Sequence, residues 1–438
     1  SVPDKGTTII AKVKPSLKER GNNGARRKEY FNLETCHHDI YPDAAEFKVE
    51  EGKKIRTTDC IRYEFIPPRF IKHIYHQHYY ACKGTVYAGS LPAVPLLNSN
   101  YDASFIAGIL QLRYIYSMPV ERIIKLFAEH GFEMNKATAH GLIKKAAGLF
   151  DLVEDVLKET VLSDNYLSMD ESYYTVLTSD TNNQSGKSTA KGYIWAALAN
   201  HLKLVHFFYE NGSRSRKVLT GYLREDYRGA IQSDGLGNYK IIEKEAYPDA
   251  IRLSCFQHCK RKFLNITGNK DAEKIVRIIN RLYQNEHRIP PDWTACQILD
   301  YRNKYAPPIL KELKEELINI KNKKSTLPKS ELSKAINYTL NEYDALCNYI
   351  RSADYAPDNN AIERLMRYIS LSRRNSLFCG SHQGAKRAAL IYSLACSCRL
   401  NNINSFEYFK DLLTKLIDIN PNTDHETIRN LLPHKWQR

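Results

Sequence analysis

LSMDESYYTVL, residues 167–177, decides the architecture. It has strand composition, yet it carries Asp170 in its interior, directly after apolar Met169. Aspartate is disfavoured inside strands, so its presence there asks for a reason. An exposed strand face or the start of a bend would be the plain one. A polar turn follows, TSDTNNQSGKSTAKG, and then Tyr193–Ala199 and Leu204–Tyr209 read as two further strands. Links this short imply an antiparallel meander.

Downstream the period changes again. Ser215–Arg224 reads as a helix, Gly229–Ser233 as a short fourth strand ending at Asp234, and Asn238–Ala246 as a helix. Ile251–Cys255 is a fifth strand, and a helix starts near Phe256 carrying His258, Lys260, Arg261 and Lys262. Three antiparallel strands, a helix and two strand–helix crossovers form the element order of a ribonuclease H-like sheet. In that order the first and fourth strands are neighbours, which brings Asp170 to Asp234. Asp234-Gly235 is also a hairpin signal, but the chain beyond it continues as helix rather than strand.

A third acid lies far along the chain, in DNNAIERLMRYISLSRRNSLFCG, residues 358–380. Ile362, Leu365, Met366 and Ile369 recur at helical spacing, and Pro357 stops any helix upstream. Glu363 sits in the first turn. From Arg364 to Ser405 the chain carries Arg364, Arg367, Arg373, Arg374, Lys386, Arg387 and Arg399 and no acid at all. Two readings of Glu363 stand: half of a capping box with Asn360 as cap, or a metal ligand at the mouth of a basic surface. Three carboxylates without balancing cations repel one another, and divalent metal makes such a cluster tolerable. Two Mg²⁺ or Mn²⁺ ions roughly 3.5–4 Å apart would activate a water or a 3′-hydroxyl and stabilise the leaving oxygen of a phosphodiester. Hard oxygen ligands do not favour zinc.

Working outward, residues 101–162 read as helices over Ala103–Tyr116, Val120–Glu129 and Lys136–Glu159, with Gly131 as a stop. The middle of this stretch resembles a helix-turn-helix whose second helix begins near Asn135 and presents Lys136, His140, Lys144 and Lys145 to a DNA groove. Residues 31–98 read as a small β-rich domain with a strand over Ile71–Ala81. Its Cys36, His37, His38, Cys60, His73, His76, His78 and Cys82 have no standard zinc-finger spacing. Residues 1–30 hold eight Lys/Arg against three acids and read as a basic flexible arm. Residues 265–352 carry only helical patterns, such as Asp271–Asn285, Leu310–Ile320 and Glu331–Ile350, and form an insertion. The expected fold is α+β and multidomain. Its ribonuclease H-like core occupies 163–264 and 353–400, interrupted by the helical insertion. The β-rich domain (31–98) and the helix-turn-helix-like domain (99–162) precede the core, and a helical element (401–438) follows it.

Composition agrees with a polyanion partner. Of 438 residues, 64 are Lys or Arg against 49 Asp or Glu, a net charge of +15. The 43% apolar content supports real cores. No apolar run reaches the roughly 18 residues of a membrane span, and no secretory signal opens the chain, which excludes a membrane function. Ten scattered cysteines fit a reduced, cytoplasmic protein. The chain begins at Ser1, as a processed or truncated product would.

In combination these motifs resemble the DDE transposases of the insertion-sequence-sixty-six family. MDES (169–172) is similar to the first-Asp motif, IQSDGLGNY (231–239) to the second, and CFQHCKRKF (255–263) to its C-x-x-H followed by basic residues. NNAIERLMRYISLSRRNSLFCGSHQGA resembles the catalytic-Glu helix, and LLPHKW resembles the terminal signature. The resemblance runs from about residue 31 onward. It implies that Asp170, Asp234 and Glu363 bind the catalytic metals, that His258 lies at the active site, and that Arg214 and Arg364 position phosphate. It further implies a bacterial, nucleoid-associated transposase that binds transposon ends and target DNA as a homodimer or larger synaptic assembly, with small accessory proteins as further partners. Two departures stand out. Asp39 and Thr85 replace cysteines that would pair with Cys36 and Cys82, and the family's N-terminal coiled coil is missing. A catalytically idle DNA-binding protein and a structure-specific nuclease on the same fold are the rival functions.

Overall fold

The computed structural model describes residues 68–82, 85–88, 91–97, 99–177, 189–235, 237–240 and 247–437. All belong to the second of two compact units, which divide at Pro67/Pro68. The expected basic arm, Cys36, His37, His38, Cys60 and most of the polar turn after residue 177 lie outside the described residues.

The first described element is a hairpin of β1 (Tyr79–Cys82) and β2 (Thr85–Ala88), paired antiparallel. The strand expected over Ile71–Ala81 therefore starts only at Tyr79. Ile71, Ile74 and Tyr75 are each at least 60% exposed, so strand-forming side chains alone did not recruit a partner there.

Three helices follow. Asp102 caps α1 (Ala103–Leu110) by accepting from the Phe105 N–H, and a π-turn continues it to Ile115. Helix α2 (Val120–Glu129) begins after Pro119 and is followed, past its C-cap His130, by Gly131, whose φ of +80° suits glycine. Asn135 caps the 27-residue α3 (Lys136–Leu162). The buried stripe of α3, including Leu142, Phe150, Val153 and Leu157, belongs to the same hydrophobic cluster as the central sheet. Residues 99–162 thus share the sheet's core rather than enclosing one of their own.

That sheet is built from β3 (Tyr166–Leu177), β4 (Thr189–Ala199), β5 (Leu204–Phe208), β6 (Ala230–Gln232) and β7 (Ile251–Leu253). Its order is β5-β4-β3-β6-β7, with β3, β4 and β5 antiparallel and β6 and β7 parallel to β3. The first and fourth strands of the sheet are neighbours, as the element order requires. Helix α4 (Arg216–Tyr222) links β5 to β6, and a 3₁₀ turn over Gly237–Lys240 opens the next crossover. Further along lie α10 (Asn360–Ser376), packed on β3, and α11 (His382–Leu400), packed on β5. Ser393 and Ser397 of α11 accept the Phe207 and Val205 N–H groups, so hydroxyls finish a strand edge that water would otherwise solvate.

Between α5 (Phe256–Leu264) and α10 sits the insertion: α6 (Lys270–His287), α7 (Ala295–Lys321), α8 (Glu331–Asn341) and α9 (Tyr343–Cys347). It has its own core, which α5 joins through Phe256, Cys259 and Phe263. Helix α7 starts fifteen residues before Leu310, where the sequence suggested, because it runs through Pro307 and Pro308. Those prolines lack the N–H a helix interior uses, yet the helix continues through them. The insertion is tied to the sheet by a buried ion pair, Arg252 Nη1 to Glu342 Oε2 at 2.6 Å. The chain ends with α12 (Ser405–Lys415) and α13 (His425–Arg429), and among the described residues no helix is long and apolar enough to cross a membrane.

Candidate active site

Parallel pairing sets Ser168 of β3 opposite Gln232 of β6. Two residues further along each chain come Asp170 and Asp234. Strand β7, parallel to β6, runs into Cys255 and the first turn of α5, which carries His258. Three parallel strands thus deliver chemistry-bearing residues to one end of the sheet, where α/β folds bind ligands. Burial first, then the charges of Glu171 and Asp234 and, further down, Glu363, push the Asp170 carboxyl well above the usual carboxylate range.

Glu363 arrives from the other side, on the first turn of α10. The capping box does not form. Asn359 holds the cap position without capping through its side chain, Asn360 is the first helical residue, and its N–H donates to Asp358 Oδ1 at 3.1 Å. The Asn359 side chain instead donates to the Met169 carbonyl at 2.9 Å, and its backbone N–H donates to Cys255 Sγ at 3.3 Å. With no capping role, the Glu363 carboxylate faces α5, with Oε1 3.7 Å from His258 Nδ1 and Oε2 3.9 Å from Arg261 Nη2. Both distances exceed a hydrogen bond. Glu363 Oε1 and His258 Nδ1 are accordingly buried without a hydrogen-bond partner. Such orphaned atoms call for an explanation, and a cation between or beside them supplies one. Asp170, Asp234 and Glu363 offer the hard oxygens that suit Mg²⁺ or Mn²⁺. Among the described residues, however, the three potential ligands drawn within 4.8 Å of one another are Cys255, His258 and Glu363. Burial pushes the Cys255 thiol up to about 12.

Residues 98–387 match the transposase IS66 family. The chain belongs to that family. Similar proteins include three from Sinorhizobium fredii (strain NBRC 101917 / NGR234). The uncharacterized protein y4jD is 26% identical over 82% of this chain and 70% of its own length. The uncharacterized protein y4qI is 24% identical over 84% and 69%. Among solved structures, the Drosophila P element transposase strand transfer complex aligns with 68% of this chain and 92% of its own, at 11% identity and a TM-score of 0.39.

Within this transposase-family chain the sequence reading missed Glu171. Its side chain is 2% exposed, and it accepts from Arg214 Nε at 3.0 Å and Nη2 at 2.6 Å and from the Tyr239 hydroxyl at 3.0 Å. Burial raises the Glu171 carboxyl, with Arg214 opposing. Two adjacent acids in MDES were the available signal. Arg214, expected to position phosphate, therefore has its guanidinium committed to Glu171, and it also lies over the Tyr193 ring. Tyr338 of the insertion was missed as well; its hydroxyl accepts the Gly235 N–H next to Asp234.

The other basic candidates divide by environment. Arg373 bonds Ser172 Oγ and the Tyr173 carbonyl and covers the Tyr173 ring, so it clamps α10 onto β3. Lys260 and Lys262 lie over the rings of Tyr283 and Tyr338. Arg364, Arg367 and Arg374 are exposed. On α3, Lys136 pairs with Glu121, while His140, Lys144 and Lys145 are exposed.

Proposed function

We propose that the chain is a metal-dependent DNA transposase that binds transposon ends, cleaves DNA and joins the freed 3′-hydroxyl to target DNA. What supports this reading is the electrostatic coupling of Asp170, on β3, to Asp234, two residues past the neighbouring parallel strand, and to Glu363 on α10, in a chain of transposase family. The sheet order supports a ribonuclease H-like core. Asp170, Asp234 and Glu363 would hold two Mg²⁺ or Mn²⁺ ions, which when bound supply an activated oxygen nucleophile and charge stabilisation at the phosphodiester.

The chain's own groups have separate tasks. His258, beside Glu363, would hydrogen-bond the scissile phosphate or the attacking hydroxyl. Arg261 would neutralise a neighbouring phosphate oxygen. Asn359 fixes α10 against β3 and so sets where Glu363 points. The Glu171–Arg214–Tyr239 network braces the strand that carries Asp170. Exposed Arg364, Arg367, Arg374, His140, Lys144 and Lys145, with Lys260 and Lys262, would hold DNA backbone. Partners would be transposon-end and target DNA, a second copy of the chain or a larger synaptic assembly, and small accessory proteins, in the bacterial cytoplasm at the nucleoid.

Glu363→Gln tests the reading. It keeps shape and removes charge. Cleavage of transposon-end DNA with Mg²⁺ should fall roughly a hundredfold or more, while DNA binding and folding persist. Binding without metal-dependent nicking in the parent chain would favour the idle DNA-binding alternative, and cleavage without strand joining would favour the nuclease.

A further inference from the structure

We propose that Cys255, His258 and Glu363 form a second cation site, selective for a thiophilic divalent ion of the Zn²⁺ class. Its donor set differs from the all-oxygen set that Asp170 and Asp234 share with Glu363. A thiolate, an imidazole and one carboxylate suit zinc and not Mg²⁺.

The fold builds this arrangement from two helix starts. Cys255 is the N-cap of α5 and His258 lies three residues on, so both occupy one face of the first turn. Burial keeps the Cys255 thiol protonated in the metal-free protein, so an arriving cation must displace that proton, and the positive end of the helix assists. Glu363 enters from the first turn of α10, and the two starts are held together by the Phe256 N–H on the Pro357 carbonyl at 3.0 Å. The Asn359 N–H on Cys255 Sγ is the kind of outer contact that orients a thiolate ligand.

Distances decide between packing and ligation. Donors of a tetrahedral zinc lie roughly 3.3–3.8 Å apart, given its bond lengths. His258 Nδ1 and Glu363 Oε1 stand at 3.7 Å, inside that range, and with Cys255 the three ligand atoms fall within 4.8 Å of one another, so the thiol side closes by at most about 1 Å on loading. A packed His–Glu contact would close to hydrogen-bond length. Here both atoms are buried and unpartnered at a spacing too long for a proton and right for an ion. Thiolate plus carboxylate neutralise the dication, which leaves the guanidinium of Arg261, 3.9 Å from Glu363 Oε2 and largely exposed, as the nearby charge given to solvent. Three protein ligands leave the fourth position for water. Because Glu363 belongs to both donor sets, zinc on this side takes it from the carboxylate centre and switches DNA cleavage off. That last consequence rests on the function proposed above.

The test uses the full chain, stripped of metal and titrated with Co²⁺ as a spectroscopic stand-in for zinc. A thiolate-to-cobalt charge-transfer band with tetrahedral d–d absorption is expected, and Zn²⁺ should displace it. Because other cysteines and histidines can bind cobalt, the decisive quantity is the difference between the parent and its variants. Cys255→Ser should remove this site's share of the band, and His258→Gln should weaken its Co²⁺ affinity by at least about tenfold. Circular dichroism checks folding. Should Cys255→Ser fail to fold, His258→Gln, at a partly exposed position, decides alone. No band, or the same spectrum in the folded variants, overturns the site. In cleavage assays, Zn²⁺ should inhibit the Mg²⁺ reaction. A parent that never cleaves DNA speaks against the proposed function and leaves the cobalt spectrum as an independent readout of the site.

Discussion

Asn359 donates its side-chain amide to the main-chain oxygen of Met169, 2.9 Å away, fastening the first turn of α10 to the residue that precedes Asp170. Asn359 is 1% exposed, so nothing else can replace that contact cheaply. Asn359→Ala should cost about 1–3 kcal/mol in denaturant unfolding, since a buried acceptor loses its donor. Cleavage should fall by more than the unfolded fraction explains, because Glu363 loses its fixed direction. Equal losses in stability and activity would reduce Asn359 to a packing residue.

The Asp170 carboxyl is raised by burial and by the acids around it, which fixes the sign of a pH effect. In metal-free protein its contribution to stability is full below the ordinary aspartate value of 3.8 and is lost as pH rises through the raised folded value. Asp170→Asn should therefore melt higher than the parent in EDTA at neutral pH, and the gap should close toward about pH 4. Mg²⁺ should stabilise the parent more than the variant. A variant that is less stable at every pH would refute both the electrostatic account and the metal role.

Arg214 and Glu171 should behave as one unit. Arg214→Ala leaves a buried carboxylate short of its main partner and should cost about 1–3 kcal/mol. Adding Glu171→Gln should recover part of that loss. Additive effects in the double-mutant cycle would show that the pair is not coupled. DNA affinity should follow folding rather than the charge removed.

On α3 the expectation is reversed. Lys144 and Lys145 are exposed, and replacing either with Ala should change stability by less than about 0.5 kcal/mol. If each contacts a phosphate, the slope of log affinity against log salt should drop by about 1 per residue. Lys136, paired with Glu121, should count for less. Unchanged salt slopes would remove α3 from the DNA interface.

Legibility from sequence followed the range of the forces involved. Strand β3, the neighbouring strand that leads to Asp234 and the helix of Glu363 were all readable, because alternation, helical spacing and an aspartate out of place are local signals. The bond from Arg214 to Glu171 joins residues 43 positions apart and carries no local mark. Helix α7 extends well beyond the expected run Leu310–Ile320, held by the packing of Ala306, Ile309 and Leu310, which is not a local signal. The helices at 99–162 were readable one by one, but not their shared core with the sheet. Asn360 was the expected cap, but Asn359 holds that position and its amide bridges to Met169 instead, a long-range contact with no local mark.

Glu342, at the α8–α9 junction, takes hydrogen bonds from Arg252 and Ser254 on the last sheet strand and its exit, and an ion pair from Lys240. An engineer wishing to miniaturise this protein by excising the helical segment between the two halves of the sheet domain would remove the buried carboxylate that Arg252 and Ser254 both bond, and uncover the edge strand beneath it. Any shortened version must therefore redesign the surface around residue 252.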